Sequence, residues 1–230
     1  YNGDGISDVL LTVIVDGSNK LIGDLYIFDE DFNYDLKPQI IESIDDVGSY
    51  RADVGDFNGD GQADVLCLFP THSTCYYGNE SATEPLKAQI NDIHWPSGLN
   101  MWYSDFVFAD FTGNGRTDLM ELNFYGNHYR YRTDLTDFNR SLVLSNIDYA
   151  EGDDFLIGDF NGDMISDITI IKDENTFSVY QSHGYSFVKT LDNKTIPIID
   201  ENYDESSFFT GDLNGDGRTD IVRTLSHVNN

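Results

Sequence analysis

The sequence predicts an all-β fold: a β-propeller of four-stranded antiparallel blades with calcium-binding loops, about four to five blades in the chain. Three observations carry that prediction. A nine-residue phrase rich in Asp and Gly recurs along the 230 residues. The stretches around each copy are short apolar runs bounded by Gly, Asn and Asp, the pattern of strands and turns. No segment keeps a helical hydrophobic period over three turns. One propeller domain or propeller fragment is therefore expected over residues 1–230.

Composition narrows the class. Apolar residues make up 40% and aromatics 13%, enough for a packed core rather than a disordered chain. Acidic residues outnumber basic ones 41 to 13, giving a formal charge of −28. That excess argues against nucleic acid and against an anionic membrane surface, both of which attract Lys and Arg. Of the acids, 32 are Asp and 9 are Glu, a bias toward turns, caps and metal loops over helix surfaces. The longest apolar run, 9–15, is too short to span a bilayer as a helix. Neither an initiator Met nor a signal peptide is present, so a mature or excised segment is expected.

Taken in order, the chain opens inside a copy, Asn2-Gly-Asp-Gly-Ile-Ser-Asp8, whose first Asp would precede Tyr1. The full copies follow: Asp56-Phe-Asn-Gly-Asp-Gly-Gln-Ala-Asp64, then Asp110-Phe-Thr-Gly-Asn-Gly-Arg-Thr-Asp118. Next come Asp159-Phe-Asn-Gly-Asp-Met-Ile-Ser-Asp167 and Asp212-Leu-Asn-Gly-Asp-Gly-Arg-Thr-Asp220. The closing Asp residues are 56, 54, 49 and 53 positions apart, so five copies share one period. A first strand, A, is expected before each copy, at 50–54, 106–109, 155–157 and 208–209. A second, B, is expected after each, at 9–15, 65–69, 119–124, 168–171 and 221–222. Two weaker strands, C and D, complete each repeat, for example 129–132 and 141–144. The chain then begins at strand B of one blade, runs through three whole blades and stops after strand B of another. Either it is a fragment of a larger propeller, the favoured reading, or terminal strands close a small ring.

The repeated phrase carries side-chain oxygens at positions one, three, five and nine, with Gly usual at six. Calcium takes six to eight such oxygens, and alternate residues of a tight loop can turn theirs inward. Position seven can add its carbonyl, Asp at nine can close the site as a bidentate ligand, and Gly at six permits a positive φ. Sites are expected from Asp56, Asn58, Asp60, the Gln62 carbonyl and Asp64, and from Asp212, Asn214, Asp216, the Arg218 carbonyl and Asp220. Asp110, Thr112, Asn114, the Arg116 carbonyl and Asp118 bring only two carboxylates and promise a weaker site. Asp159, Asn161, Asp163, the Ile165 carbonyl and Asp167 keep the ligands, but Met164 replaces Gly and predicts strain. Asn2, Asp4, the Ile6 carbonyl and Asp8 lack their first ligand. About four to five calcium ions follow. The competing readings are Asx-turns without metal and, less favoured, magnesium. An EF-hand is disfavoured, since position twelve is Cys67, Glu121, Ile170 or Arg223 and the flanks read as strands.

These phrases, at 56–64, 110–118, 159–167 and 212–220 with the truncated copy at 2–8, resemble the FG-GAP and VCBS repeats of integrin α subunits and many secreted proteins. The resemblance implies a calcium-stabilised propeller in an extracellular or periplasmic setting. It implies an adhesion or protein-interaction module first, then a lectin, or an accessory domain of a polysaccharide-degrading enzyme or toxin. The residues at Thr112, Asn114 and Met164 depart from the family pattern.

Cys67 and Cys75 are the only cysteines and sit symmetrically about Thr71 on a predicted hairpin, so a disulfide is expected between them in an oxidising compartment. Three sequons, at Asn79, Asn139 and Asn193, are about as many as 19 Asn give by accident. No Ser/His/Asp arrangement or nucleophile elbow is visible, and the regular carboxylates already serve as metal ligands, so a non-catalytic protein is expected. In such a blade the A–B and C–D loops leave one face and the B–C and D–A loops the other. The segment 94–103 on that second face holds both tryptophans. Trp95, Trp102 and Tyr103 are therefore the expected contacts for an extracellular protein or glycan, unless the tryptophans pack between blades. Acidic residues near 45–46, 151–154 and 200–205 would favour a cationic partner.

Overall fold

The computed structural model of the chain describes residues 9–15, 20–43, 51–69, 72–78, 86–94, 101–126, 129–134, 137–142, 147–172, 175–184, 186–197 and 205–226. They form strands and turns, with no helix among the described residues. The first sheet has three strands, β1 (Val9–Val15), β2 (Lys20–Phe28) and β3 (Tyr34–Ser43). The second has four: β4 (Arg51–Gly55), β5 (Asp64–Leu68), β6 (His72–Gly78) and β7 (Leu86–His94). The third has β8 (Ser104–Ala109), β9 (Asp118–Asn123), β10 (Tyr129–Asp134) and β11 (Asp137–Leu142). The fourth has β12 (Asp154–Gly158), β13 (Asp167–Lys172), β14 (Thr176–Ser182) and β15 (Phe187–Thr195), and a final pair joins β16 (Glu205–Gly211) to β17 (Asp220–Ser226). Within each sheet, chain neighbours are sheet neighbours. The order of strands is the one expected from the sequence: B-C-D, three times A-B-C-D, then A-B.

Burial explains why the strands were unequally visible in the sequence. Every residue of β5 is buried, and five of the six in β9 and in β13. A strand covered on both faces needs apolar side chains at successive positions, not alternate ones, hence Val-Leu-Cys-Leu and Ile-Thr-Ile-Ile. The outer strand β15 is the opposite: after buried Phe187 its residues are exposed. Outer strands therefore carry little apolar signal. For that reason the fourth strand of the third sheet, read at 141–144, lies at Asp137–Leu142, a polar stretch.

The chain divides into two compact units, residues 1–102 with 133–139 and residues 103–132 with 140–230. In the second unit the core lies between consecutive sheets. Val107, Phe111, Met120 and Leu122 from one repeat meet Ile168, Ile170, Tyr180 and Phe187 from the next. The Phe111 and Phe187 rings meet edge to face, centroids 5.7 Å apart. β12 also lies beside β16, first strand against first strand.

In the first unit, Cys67 and Cys75 are buried, and the expected disulfide between them is absent. The β5–β6 register pairs Cys67 with Thr74 and Cys75 with Leu66, one residue off the symmetric pairing. A slip of one residue puts the two side chains on opposite faces of the sheet, where no disulfide can close. Burial raises the Cys75 thiol well above its ordinary range, so it stays protonated.

Candidate functional site

Each described copy of the repeated phrase folds into the same loop, built from its own backbone. In the first, Asp56 Oδ1 accepts from the N–H of Gly59 (2.6 Å) and Asp60 (3.1 Å), and Oδ2 from Gly61 (2.9 Å). Asn58 Oδ1 accepts from the Asp60 N–H and Asp60 Oδ1 from the Gln62 N–H. Asp159 repeats this with Gly162, Asp163 and Met164, and Asp212 with Gly215, Asp216 and Gly217. The third- and fifth-position acceptors recur as Asn161 and Asp163, and as Asn214 and Asp216. In the loop 110–118, Asp110 gathers Thr112, Gly113, Asn114 and Gly115, and Asn114 takes the Arg116 N–H. Chains of such Asx hydrogen bonds curl the backbone around its own side-chain oxygens.

The curl needs two left-handed residues, not one. Positions four and six both have positive φ: Gly59 and Gly61, Gly113 and Gly115, Gly215 and Gly217. At the remaining loop Gly162 fills position four and Met164 position six, with φ 66°. The strain read from the sequence is therefore present, on a side chain that is 86% exposed and has no packing to offset it.

The ninth Asp does a different job. Asp64 is fully buried, and its Oδ2 accepts from the N–H of Phe57 (2.8 Å) and Asn58 (3.2 Å) while Oδ1 accepts from Gly78 at the end of β6 (2.9 Å). Asp167 does the same with Phe160 and with Ser182 at the end of β14. Asp118 and Asp220 accept from Phe111 and Leu213 through Oδ2. This residue ties the start of the loop to the sheet. With Oδ2 of Asp64 filled by two donors, a bidentate grip on a metal is not open to it. Burial pushes the Asp64 and Asp167 carboxyls up to about 6, against the downward pull of those N–H groups. Exposed Asp212 goes the other way, held below the usual carboxylate range first by the Gly217 N–H.

Among the described residues no three His, Cys, Asp or Glu side chains form a metal cage by themselves. The loops 56–64, 159–167 and 212–220 add an Asn amide oxygen to two rim carboxylates, hard oxygens of the type calcium takes. Each rim oxygen that accepts one N–H keeps a lone pair. These three loops fit calcium in their chemistry. The loop 110–118 fits less well: one rim carboxylate remains, and the Thr112 hydroxyl is itself turned to donate to Asp110. Asn2, Asp4, Ile6 and Asp8 lie outside the described residues.

At the other end of the blades stand exposed aromatics. Trp102 is 75% exposed rather than packed in a core, and Trp95 lies outside the described residues. Tyr103 is half-exposed and its ring meets that of Tyr125, which is 73% exposed, at 5.6 Å between centroids. The Phe124 N–H donates to the Tyr103 carbonyl, and Asn123 Oδ1 takes the Tyr125 N–H, so this turn is fixed. Sequence reasoning missed Tyr125. Its signal was a place beside Gly126 in a B–C turn, on the end already singled out for binding. A polar cluster lies nearby: Lys172 pairs with Asp148 (3.1 Å) and Asp153 (3.4 Å), and the buried Tyr149 hydroxyl donates to Asp105. Burial, then that hydrogen bond, raises the phenol above its ordinary range.

Comparisons with known proteins agree on the fold. The profile of the FG-GAP-like repeat matches residues 1–67 and 159–222, more than half of the chain. No curated protein matches it. One solved structure, of an Agrocybe aegerita lectin described for its specific recognition of non-reducing terminal N-acetylglucosamine, is 19% identical with a TM-score of 0.63. The likeness, one of fold, covers 93% of this chain and 60% of the lectin, so the chain spans about three fifths of that protein's length. No helix among the described residues is long and apolar enough to cross a membrane.

Proposed function

The chain belongs to the FG-GAP-like repeat family, and from that premise we propose that it is a non-catalytic, extracellular binding module of propeller form whose Asp loops take calcium. The observation that carries this reading is the recurrence of one oxygen-lined loop, prefolded by its own N–H groups, in four repeats. Asp56, Asn58 and Asp60, with their counterparts at 159–163 and 212–216, would hold the ion. The metal would neutralise carboxylates that repel one another and so lock the loops. The partner, a protein, would dock in the second unit at the strand ends away from the loop 110–118, through Tyr103 with Tyr125, since exposed aromatics supply contact area at low entropic cost.

The test is thermal unfolding with calcium and then with excess chelator, with bound metal counted by elemental analysis. Calcium at a hundredfold excess over its dissociation constant should stabilise the fold by roughly 2.7 kcal/mol per site. No shift and no metal would leave the loops as Asx-turns only.

A second reading, glycan binding, is favoured by the likeness to a lectin and by the Tyr103–Tyr125 pair, a surface on which a sugar ring can stack. A glycan array separates the two. Hits lost on Tyr125→Ala would support the sugar reading, and an empty array would remove it.

A further inference from the structure

The Asp loops of the second unit touch one another in a repeated way. The backbone N–H of Ser166, position eight of its loop, donates to the carbonyl of Asp110, position one of the loop before, at 2.9 Å. Thr219, again position eight, donates to the carbonyl of Asp159, again position one, at 2.7 Å. Position seven makes a second contact with position four. A Cβ placed on Gly113 would lie 2.9 Å from Ile165 Cγ1, and one on Gly162 would lie 3.3 Å from Arg218 Cγ. The strand leading into the loop is equally close: a Cβ on Gly158 would lie 2.7 Å from Thr219 Cβ. A further link joins Ser182 Oγ to the Phe111 carbonyl at 2.7 Å, while the Ser182 N–H holds Asp167.

We propose that these loops are not independent sites but a coupled series, in which residues seven and eight of each loop hold the preceding loop in its ligand-presenting shape. Asp159 shows how. Its carboxylate is fixed by its own loop and its carbonyl by the next, so the first ligand is clamped from two repeats. Ile165, Ser166, Arg218 and Thr219 are then positioning residues for a neighbour's oxygens. Glycine at position four serves twice, for positive φ and for close approach. An ion that orders the loop 212–220 also orders the donor at Thr219, and the loop 159–167 then loses less freedom when it binds its own ion.

The inference rests on the calcium reading, and its test has one arm with metal and one without. In chelator, Gly158→Ala drives a methyl group into Thr219 and should lower the melting temperature. Adding Thr219→Gly should recover much of that loss; if the two losses simply add, the clamp is refuted. With calcium, Asp163→Asn and Asp216→Asn alter consecutive loops, whereas Asp60→Asn and Asp216→Asn alter calcium loops that do not follow one another in the chain. Calcium titrations of the full chain should show coupling of about fivefold or more for the consecutive pair and near-additivity for the other. Additivity in both pairs would overturn the proposal. A wild-type chain that takes up no calcium would overturn the calcium reading alone, and the chelator arm would still decide whether the clamp exists.

Discussion

The loops 159–167 and 212–220 share all their side-chain ligand positions and the same Asx hydrogen bonds, yet they sit in different surroundings. Asp159 and Asp212 each collect three N–H groups at matching positions. Around them little else matches. Asp167 is fully buried and reaches Ser182 on a third strand, while Asp220 is partly exposed. The loop 110–118, which also has a repeat after it, shows the same contrast: its position-two Phe111 is packed into the core, while Leu213 at position two of 212–220 is 71% exposed. Burial lifts the Asp167 carboxyl, and hydrogen bonds without burial depress Asp212. Loop shape is thus a local property of the phrase, and loop stability a property of the neighbouring repeat.

The largest test of that division is at position two. Phe111→Ala should destabilise by about 3–5 kcal/mol, as large core truncations do. Leu213→Ala should change stability by less than about 0.5 kcal/mol. Equal losses by denaturant melts would break the contrast. Next is position nine. Asp167→Ala leaves two N–H groups without their acceptor, at about 1–3 kcal/mol each, whereas Asp220→Ala should cost clearly less. Urea titration in chelator separates this from metal loss, because the larger effect of Asp167→Ala should persist without calcium. Ser182→Ala deletes the hydroxyl that caps the Phe111 carbonyl, and a loss of about 1–2 kcal/mol is expected. The smallest effect sharpens the local half of the comparison. Met164→Gly should stabilise by about 1 kcal/mol through relief of its φ of 66°. Gly217→Ala, at the same place and with nothing near its Cβ, should destabilise by a similar amount.

What could be read from the sequence follows the same line. The loops, their period and the A and B strands were legible because they rest on local hydrogen bonding and on apolar runs. The strain at Met164 was legible for the same reason. The tie from Asp64 to Gly78 was not, since it depends on a strand that returns after a hairpin. The role of glycine at position four, as opposed to six, appears only when the next repeat is in place. The cysteine pairing failed on one residue of register, which composition does not encode. Tyr125 was passed over because a single aromatic in a turn has no pattern to mark it.

The tie made by the ninth Asp also sets where the chain may change its length. Asp64 reaches Gly78 across 14 positions, and Asp167 reaches Ser182 across 15, yet both land two residues beyond the last paired residue of the returning strand, Tyr76 and Tyr180. The landing point is thus set by the register of the hairpin and not by the number of residues in it, so a single residue added inside β5 or β13 would misalign the carboxylate and unfasten the repeat.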